Sequence, residues 1–98
     1  MEIKKTAEGT RLTVALEGRL DTLSSRDLEK ELRATVPGLT ELVFDFEKLT
    51  FITSAGLRVI SLAKKLMNKQ GHMVIRNTQS DVMEVFDATG LSAFLEFE

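Results

Sequence analysis

The sequence predicts an α/β fold: a mixed, mostly parallel β-sheet with an N-terminal antiparallel hairpin and with helices packed on the sheet. Three observations lead to this prediction. Strand-like and helix-like segments alternate along most of the chain, which implies parallel pairing through right-handed crossovers. Short, nearly continuous apolar runs are typical of strands covered on both faces. A tight turn near the N-terminus favours a hairpin. The predicted order is β-β-α-β-α-β-α with a weak strand at the C-terminus.

The first two strands are predicted from the turn and from alternation. Residues 1–7 have weak strand character, and Glu8-Gly9-Thr10 is typical of a tight turn. Leu12, Val14 and Leu16 then alternate with mostly polar residues, which is the pattern of a half-buried strand. Residues 17–22 break the alternation and predict a loop.

The first helix is predicted over residues 24–35. Ser24, followed three residues later by Asp27, is a variant of the capping box. Leu28 and Leu32 are four residues apart and form the predicted buried stripe, and Pro37-Gly38 ends the helix.

The second half of the chain repeats the alternation. Residues 42–46 predict a buried strand, residues 47–53 a loop and residues 54–70 a helix, with Gly71 as a left-handed cap. Residues 73–75 predict a further buried strand.

The C-terminal part is predicted as a helix and an edge strand. Thr78 with Asp81 repeats the capping signal, and the helical stripe is closed by Gly90. Residues 94–97 predict a last strand at an edge of the sheet. The predicted stripe consists of Val82, Val85, Phe86 and Thr89.

A helical wheel divides residues 54–70 into two faces. Gly56 lies on a side with mostly apolar residues, which is expected to pack on the sheet. Ser54, Leu57 and Ser61 group on the outer side together with several charged residues. Leu57 is therefore predicted to be exposed and is a candidate contact for another protein.

The parallel topology brings two distant segments to one edge. Asp21 and Thr22 follow the second strand, and Thr53 and Ser54 follow the third. Because loops after parallel strands emerge at the same edge, and open α/β sheets usually bind ligands there, we expect these residues to share one edge.

Composition narrows the class of protein. Ninety-eight residues with 43% hydrophobic and 29% charged residues predict one globular domain over residues 1–98. The net charge of −2, without a basic stripe, argues against nucleic acid as the main partner. The chain contains no cysteine, signal-peptide pattern or long apolar run, so we expect a cytoplasmic protein that does not span a membrane.

An enzyme is not expected. His72 is the only histidine and supports no catalytic arrangement of serine, histidine and aspartate. The acidic residues lack metal-ligand spacing, and no phosphate-binding loop motif is present. The sequence therefore predicts no metal, no cofactor and no catalytic residue.

The segment Phe-Ile-Thr-Ser-Ala-Gly-Leu, residues 51–57, supports two interpretations. Thr53 or Ser54 is an N-cap that satisfies free helix amides, and Gly56 allows close packing. Alternatively, Ser54 accepts a phosphate, which would carry about −1.5 to −2 charges next to the positive end of the helix.

Two longer segments resemble a known family. EGRLDTLSS, followed by LVFDFEKLTFITSAGLRVI, resembles the STAS domain (sulphate transporter and anti-sigma factor antagonist), and the similarity covers nearly the whole chain. VIRNTQSDVMEVFDATGLSAFLEF is similar to that family's final strand–helix–strand, with the F-D-x-x-G-L segment at Phe86 to Leu91. With little additional sequence, the chain is most similar to bacterial anti-sigma factor antagonists.

The resemblance implies specific roles for residues at the loop–helix junction. The family motif reads D-S-[ST]-G or D-S-A-G, and its serine is phosphorylated by an anti-sigma factor kinase. Ser54 matches that serine, Ala55 and Gly56 complete the motif, and Asp21 matches the acidic residue of an earlier loop. Thr53 departs from the motif, because it stands where the family usually has aspartate.

The resemblance also implies the partners. The unphosphorylated domain would bind an anti-sigma factor, which is a serine kinase, and so free a sigma factor. Phosphorylation of Ser54 would end this binding and a phosphatase would restore it. Independently of the resemblance, we expect a monomer or a weak dimer, because an edge strand and residues 94–97 could pair between copies. The expected partner-binding residues are Gly18, Asp21, Thr22, Thr53, Ala55, Gly56, Leu57, Arg58 and Ser61.

Two alternatives remain open. The chain is either this phosphorylation switch or an unmodified STAS assembly module of a transporter or stress-signalling complex that uses the same helix face. A weaker third alternative is a domain that binds a small ligand or nucleotide at the carboxyl edge of the sheet.

Overall fold

A four-stranded sheet forms the base of the fold in the computed structural model, which describes residues 1–98. The strands follow the order β1-β2-β3-β4 across the sheet. The strands are β1 (Glu2–Glu8), β2 (Arg11–Leu20), β3 (Glu41–Ile52) and β4 (His72–Arg76). The helices are α1 (Thr22–Thr35), α2 (Ser54–Asn68) and α3 (Ser80–Ala88), and a 3-10 turn spans Leu91–Ala93.

The strand pairing confirms the predicted α/β class. β1 pairs antiparallel with β2, whereas β2 with β3 and β3 with β4 are parallel. In this register Leu12 lies beside Leu42, which lies beside Met73. These aligned apolar residues form one row of the buried face.

β2 and β3 are longer than predicted. The loops predicted over residues 17–22 and 47–53 are wrong, because β2 continues to Leu20 and β3 to Ile52. The register between the strands shifts twice, and β3 carries one extra residue each time. Each extra residue reverses which side of the strand is buried. The buried positions of β3 therefore change from a spacing of two to a spacing of three at Phe46, Leu49 and Ile52.

The three helices pack into a single hydrophobic cluster with the sheet. Leu28 and Leu32 are buried as predicted, and so are Val82 and Phe86, whereas Thr89 is exposed. The rings of Phe46 and Phe86 stack with their centroids 6.3 Å apart. The burial of these aromatic and aliphatic side chains removes apolar surface from water and stabilises the packing of the helices on the sheet.

Two helix boundaries differ from the predictions. α3 begins at Ser80 after Gln79 without a side-chain cap, so the predicted capping by Thr78 is wrong. α2 ends at Asn68, and Gly71 does not adopt the left-handed conformation expected of a cap. Instead, a Cβ atom at Gly71 would overlap the carbonyl group of Thr40, so the glycine permits a close backbone approach.

The C-terminal strand is reduced to one bridge. Phe97 pairs in parallel with Ile75 at the β4 edge of the sheet. The Ile75 N–H donates to the Glu96 carbonyl at 2.9 Å, and the Glu98 N–H donates to the Ile75 carbonyl at 2.8 Å. The edge location agrees with the prediction, although residues 94–97 do not form a full strand. None of the helices combines the length and apolar character that crossing a membrane requires.

Candidate functional site

Two helices begin side by side at the carboxyl edge of the sheet. α1 starts directly after β2, and α2 starts directly after β3. The Thr53 N–H donates to the Leu20 carbonyl at 3.0 Å, and the Thr53 hydroxyl donates to the same oxygen at 3.2 Å. This contact confirms that the segments ending in Asp21 and Ser54 meet at one edge.

The start of α1 is held by Asp21 and Ser24. Asp21 is the N-cap residue, so the helix begins at Thr22 and the predicted cap at Ser24 is wrong. An Asp21 carboxylate oxygen accepts hydrogen bonds from the Ser24 N–H at 3.0 Å and from the Ser24 hydroxyl at 2.9 Å. In return, the Asp21 N–H donates to the Ser24 hydroxyl at 2.9 Å. This is a complete capping box with serine in the third helical position.

The capping hydrogen bonds also change the acidity of Asp21. The Ser24 N–H and hydroxyl hold the pKa of the Asp21 carboxyl below its usual value, and the nearby positive charge of Arg19 acts in the same direction. Asp21 is therefore an ionised residue of the helix cap. Its hydrogen bonds go to Ser24, and none of them goes to Ser54.

Thr53 is the N-cap of α2 and leaves Ser54 free. The Thr53 hydroxyl accepts a long hydrogen bond of 3.5 Å from the Gly56 N–H. Ser54 occupies the first helical position, is exposed and makes no side-chain hydrogen bond within the chain. First-turn amides lack partners inside a helix and carry its positive partial charge. The Ser54 hydroxyl thus lies accessible at a site that favours a negative group.

The small residues after Ser54 serve the packing of the helix. Ala55 and Gly56 are buried, so they are not available as direct surface contacts. A Cβ atom at Gly56 would come within 2.8 Å of both Ile52 Cγ1 and Leu20 Cγ. Glycine therefore allows α2 to lie directly on the ends of β2 and β3.

The predicted exposure of Leu57 is wrong. Its side chain is only 6% exposed and belongs to the hydrophobic cluster. The helical wheel assumed that α2 is covered by the sheet alone, but α2 also packs against α1. The second neighbour widens the buried arc of α2 until it includes Leu57. The outer face starts at the next residue, Arg58, which is exposed.

The remaining predicted residues lie at different depths. Thr22, Ser54 and Arg58 are exposed, whereas Asp21, Thr53 and Ser61 are half-buried. Gly18 is half-buried in a left-handed backbone conformation with φ of 108°, and its carbonyl accepts a hydrogen bond of 3.0 Å from the Thr50 hydroxyl. The accessible part of the predicted surface therefore consists of the two helix starts and the outer face of α2.

Three exposed residues at this edge were not predicted from the sequence. Arg19 and Phe51 are neighbours in the β2–β3 register, and the Arg19 guanidinium lies 4.0 Å from the centre of the Phe51 ring. Leu23, in the first turn of α1, is 71% exposed. Arg19 and Leu23 line one surface depression of about 420 Å³, together with Asp21. Had β3 been predicted to continue to Ile52, the alternation of side chains along a strand would have placed Phe51 on the face opposite to the buried Ile52 and so predicted its exposure.

Residues 2–98 match the STAS domain family. The chain belongs to this family. A relative in Bordetella bronchiseptica, BtrV, is by its name a predicted anti-sigma factor antagonist. This STAS domain is 41% identical to BtrV over 86 residues, which cover 85% of this chain and 74% of BtrV.

Solved structures of the same fold include two bacterial regulators. One is the Bacillus cell fate determinant SpoIIAA, whose structure was solved in the phosphorylated form. It is 17% identical to this chain, with a TM-score of 0.79 over 99% of this chain and 91% of SpoIIAA. An anti-sigma factor antagonist from Mycobacterium paratuberculosis is 18% identical, with a TM-score of 0.88 over 98% of this chain and 83% of that protein. Because both identities are below 25%, these structural similarities show that this chain shares the fold, and nothing more.

Proposed function

We propose that this STAS domain is an anti-sigma factor antagonist that is controlled by phosphorylation of Ser54. The observation that carries the proposal is the position of Ser54, which is exposed and without a side-chain partner at the start of α2. The relative BtrV, which is by its name a predicted anti-sigma factor antagonist, supports the antagonist part of the proposal. SpoIIAA, which shares the fold, has a phosphorylated form.

The unmodified domain binds the anti-sigma factor through the carboxyl edge. Exposed aromatic and apolar side chains at this edge are suited to a protein partner, because aromatic residues and arginine are enriched at protein interfaces and among the residues that dominate their free energy. Leu23 and Phe51 are such residues, and Arg19 joins them. Ser54 and Arg58 continue the surface onto α2. Binding of the anti-sigma factor to this surface displaces its sigma factor.

Phosphorylation changes the surface and leaves the scaffold intact. A phosphoserine carries about −1.5 to −2 charges, and the first turn of α2 provides a favourable positive end for it. The cap of α2 is Thr53, so the Ser54 hydroxyl can be modified without loss of the capping hydrogen bond. A partner that closes over Ser54 would have to remove the new charge from water, which costs free energy. Each ~1.4 kcal/mol of binding free energy lost in this way lowers the affinity tenfold.

The partner supplies the chemistry of the switch. The Ser54 hydroxyl oxygen attacks the γ-phosphorus of ATP bound to the anti-sigma factor kinase, ADP leaves, and the hydroxyl proton passes to a base of the kinase. A phosphatase later hydrolyses the phosphoserine. The STAS domain contributes a positioned hydroxyl group and no catalytic residue. This function operates in the cytoplasm, where sigma factors act.

One observation favours a second candidate, an unmodified assembly module. Thr53 occupies the position at which the family usually has aspartate. The Thr53 hydroxyl donates to the Leu20 carbonyl, which an ionised aspartate cannot do. The junction of this chain is therefore stabilised by a neutral bridge, and a module with no phosphorylation step would retain the same docking face.

A phosphorylation experiment separates the two candidates. The purified domain is incubated with ATP and its cognate kinase-fold anti-sigma factor, and phosphopeptides are mapped by mass spectrometry. We expect one phosphate on Ser54 and none on the Ser54→Ala variant, which still binds the anti-sigma factor. A phosphate on Thr53, or binding without any phosphate transfer, would contradict the switch, and the latter would favour the module.

A further inference from the structure

A groove runs between the C-terminal half of α2 and the C-terminal turn of the chain. Its volume is about 400 Å³. One wall is a stripe of α2 with the spacing of a single helix face, and the other wall is apolar. The lining residues are Ser61, Lys64, Lys65 and Asn68 from α2, and Leu91, Phe94 and Leu95 from the C-terminal segment.

Phe94 is the unusual residue of this groove. Its side chain is 72% exposed, and it is the only large exposed hydrophobic residue outside the segments that approach the carboxyl edge. The fold does not require it, because Phe94 is neither part of the hydrophobic cluster nor packed against it. An aromatic residue that the core leaves exposed beside a groove is available as an anchor for a partner.

The α2 wall of the groove is positively charged. No aspartate or glutamate occurs in residues 48–80, although the whole chain has a net charge of −2. None of the six ion pairs of the chain involves Lys64 or Lys65. These two ammonium groups therefore attract an acidic ligand. The basic residues of the segment are Lys48, Arg58, Lys64, Lys65, Lys69 and Arg76.

The groove is continuous with the surface around Ser54. Ser54, Arg58, Ser61 and Lys65 follow each other at intervals of three and four residues along the outer face of α2. At a rise of about 1.5 Å per residue, Lys64 lies roughly 15 Å along the axis from Ser54. A partner with a standard interface of about 800 Å² reaches that far.

The groove suits a protein segment better than a small molecule. A small-molecule site encloses most of its ligand, whereas Lys65, Asn68 and Phe94 leave this groove open to solvent. We infer that the groove is the second anchor of the anti-sigma factor interface and binds an acidic segment that inserts an apolar side chain against Phe94. This inference rests on the proposed function and extends the docking surface from the start of α2 to its end.

The test measures the affinity of the purified anti-sigma factor by isothermal titration calorimetry. The Lys64→Glu/Lys65→Glu double variant should bind at least tenfold more weakly than the wild type. Added salt should weaken the wild type more than the variant, because salt screens the attraction of the two lysines. The matched control is Lys30→Glu/Arg33→Glu, which makes the same change of charge at exposed positions towards the end of α1, away from its start, and should bind like the wild type.

Two further variants distinguish a loss of binding from a loss of folding. Lys64→Gln/Lys65→Gln removes the charges without adding new ones, and Phe94→Ser removes the aromatic anchor. Both should keep the thermal midpoint of the wild type and should each weaken binding about tenfold. In the complex, amide NMR signals of residues 61–68 and 91–95 should shift.

The outcomes distinguish this inference from the proposed function. If the wild type binds the anti-sigma factor and all three groove variants bind equally well, the second anchor is wrong and the proposed function stands. If the groove variants bind weakly but Ser54→Asp binds like the wild type, the anchor stands and the phosphorylation switch is wrong. If the wild type does not bind the anti-sigma factor, both are wrong.

Discussion

Thr53 donates two hydrogen bonds to a single atom, the carbonyl oxygen of Leu20. The donors are its N–H at 3.0 Å and its hydroxyl at 3.2 Å. The same hydroxyl oxygen accepts from the Gly56 N–H. One side chain therefore joins the end of β2 to the start of α2. Ser54, the next residue, is left exposed on a fixed backbone.

Replacement of Thr53 tests this bridge. Thr53→Val keeps the branched shape but loses both side-chain hydrogen bonds, so the free energy of unfolding should fall by about 1–2 kcal/mol. The Thr53→Ser control retains the hydroxyl and should lose less than about half of that amount. Chemical denaturation measures both values. Equal stability of Thr53→Val and the wild type would show that the bridge contributes nothing.

Ser54 can be charged without loss of stability. In Ser54→Asp the new carboxylate lies at the positive end of α2, so the thermal midpoint should stay equal or rise slightly. Affinity for the anti-sigma factor should fall at least tenfold, whereas Ser54→Ala should bind like the wild type. Thermal unfolding and calorimetry give the two readouts. An unfolded Ser54→Asp protein would mean that Ser54 is a structural residue.

Gly56 should not tolerate even one additional methyl group. In Gly56→Ala the new Cβ atom would lie 2.8 Å from Leu20 Cγ and from Ile52 Cγ1, which belong to well-packed residues. Overpacking of this kind costs about 1–3 kcal/mol, while the higher helix propensity of alanine returns up to about 1 kcal/mol. We expect net destabilisation in denaturant titrations. A Gly56→Ala protein more stable than the wild type would show that α2 can shift away from the sheet.

The order of elements could be predicted because each depends on local patterns. Alternation at Leu12, Val14 and Leu16 identified β2, and the apolar run at residues 42–46 identified the central part of β3. The meeting of Asp21 and Thr53 at one edge followed from parallel topology alone. These features require no knowledge of which residues touch.

The errors arose where the outcome depends on tertiary contacts. The two register shifts reverse the buried side of β3, so a pattern of period two ends at Phe46 although the strand continues to Ile52. Leu57 is buried because α2 has two neighbours, a fact that a wheel drawn for one helix does not contain. The exposure of Phe51 was not predicted because the same register shifts hid the continuation of β3 to Ile52.

Replacement of Leu57 should lower the stability of the fold, whereas replacement of Arg58 should lower the affinity for the partner. Leu57→Ala removes a side chain of the hydrophobic cluster and should lower the free energy of unfolding by about 2–5 kcal/mol. Arg58→Ala removes an exposed side chain and should change it by less than about 0.5 kcal/mol. Affinity for the anti-sigma factor should fall for Arg58→Ala, measured well below the unfolding temperature. A stable Leu57→Ala protein would contradict the burial of Leu57.

Asp21 should make the stability depend on pH in acid. The capping hydrogen bonds lower the pKa of Asp21 in the folded state below the usual value of 3.8. A carboxyl group with a lowered folded pKa stabilises the protein above its unfolded pKa, and this contribution is lost as the pH falls through the folded value. The Asp21→Asn variant can still cap α1 but does not titrate. The wild type should therefore have the higher thermal midpoint at neutral pH, and the difference should shrink as the pH falls below about 4. The comparison cancels the titration of the other carboxyl groups, which both proteins share. A difference that stays constant over this range would mean that the Asp21 charge does not contribute to the cap.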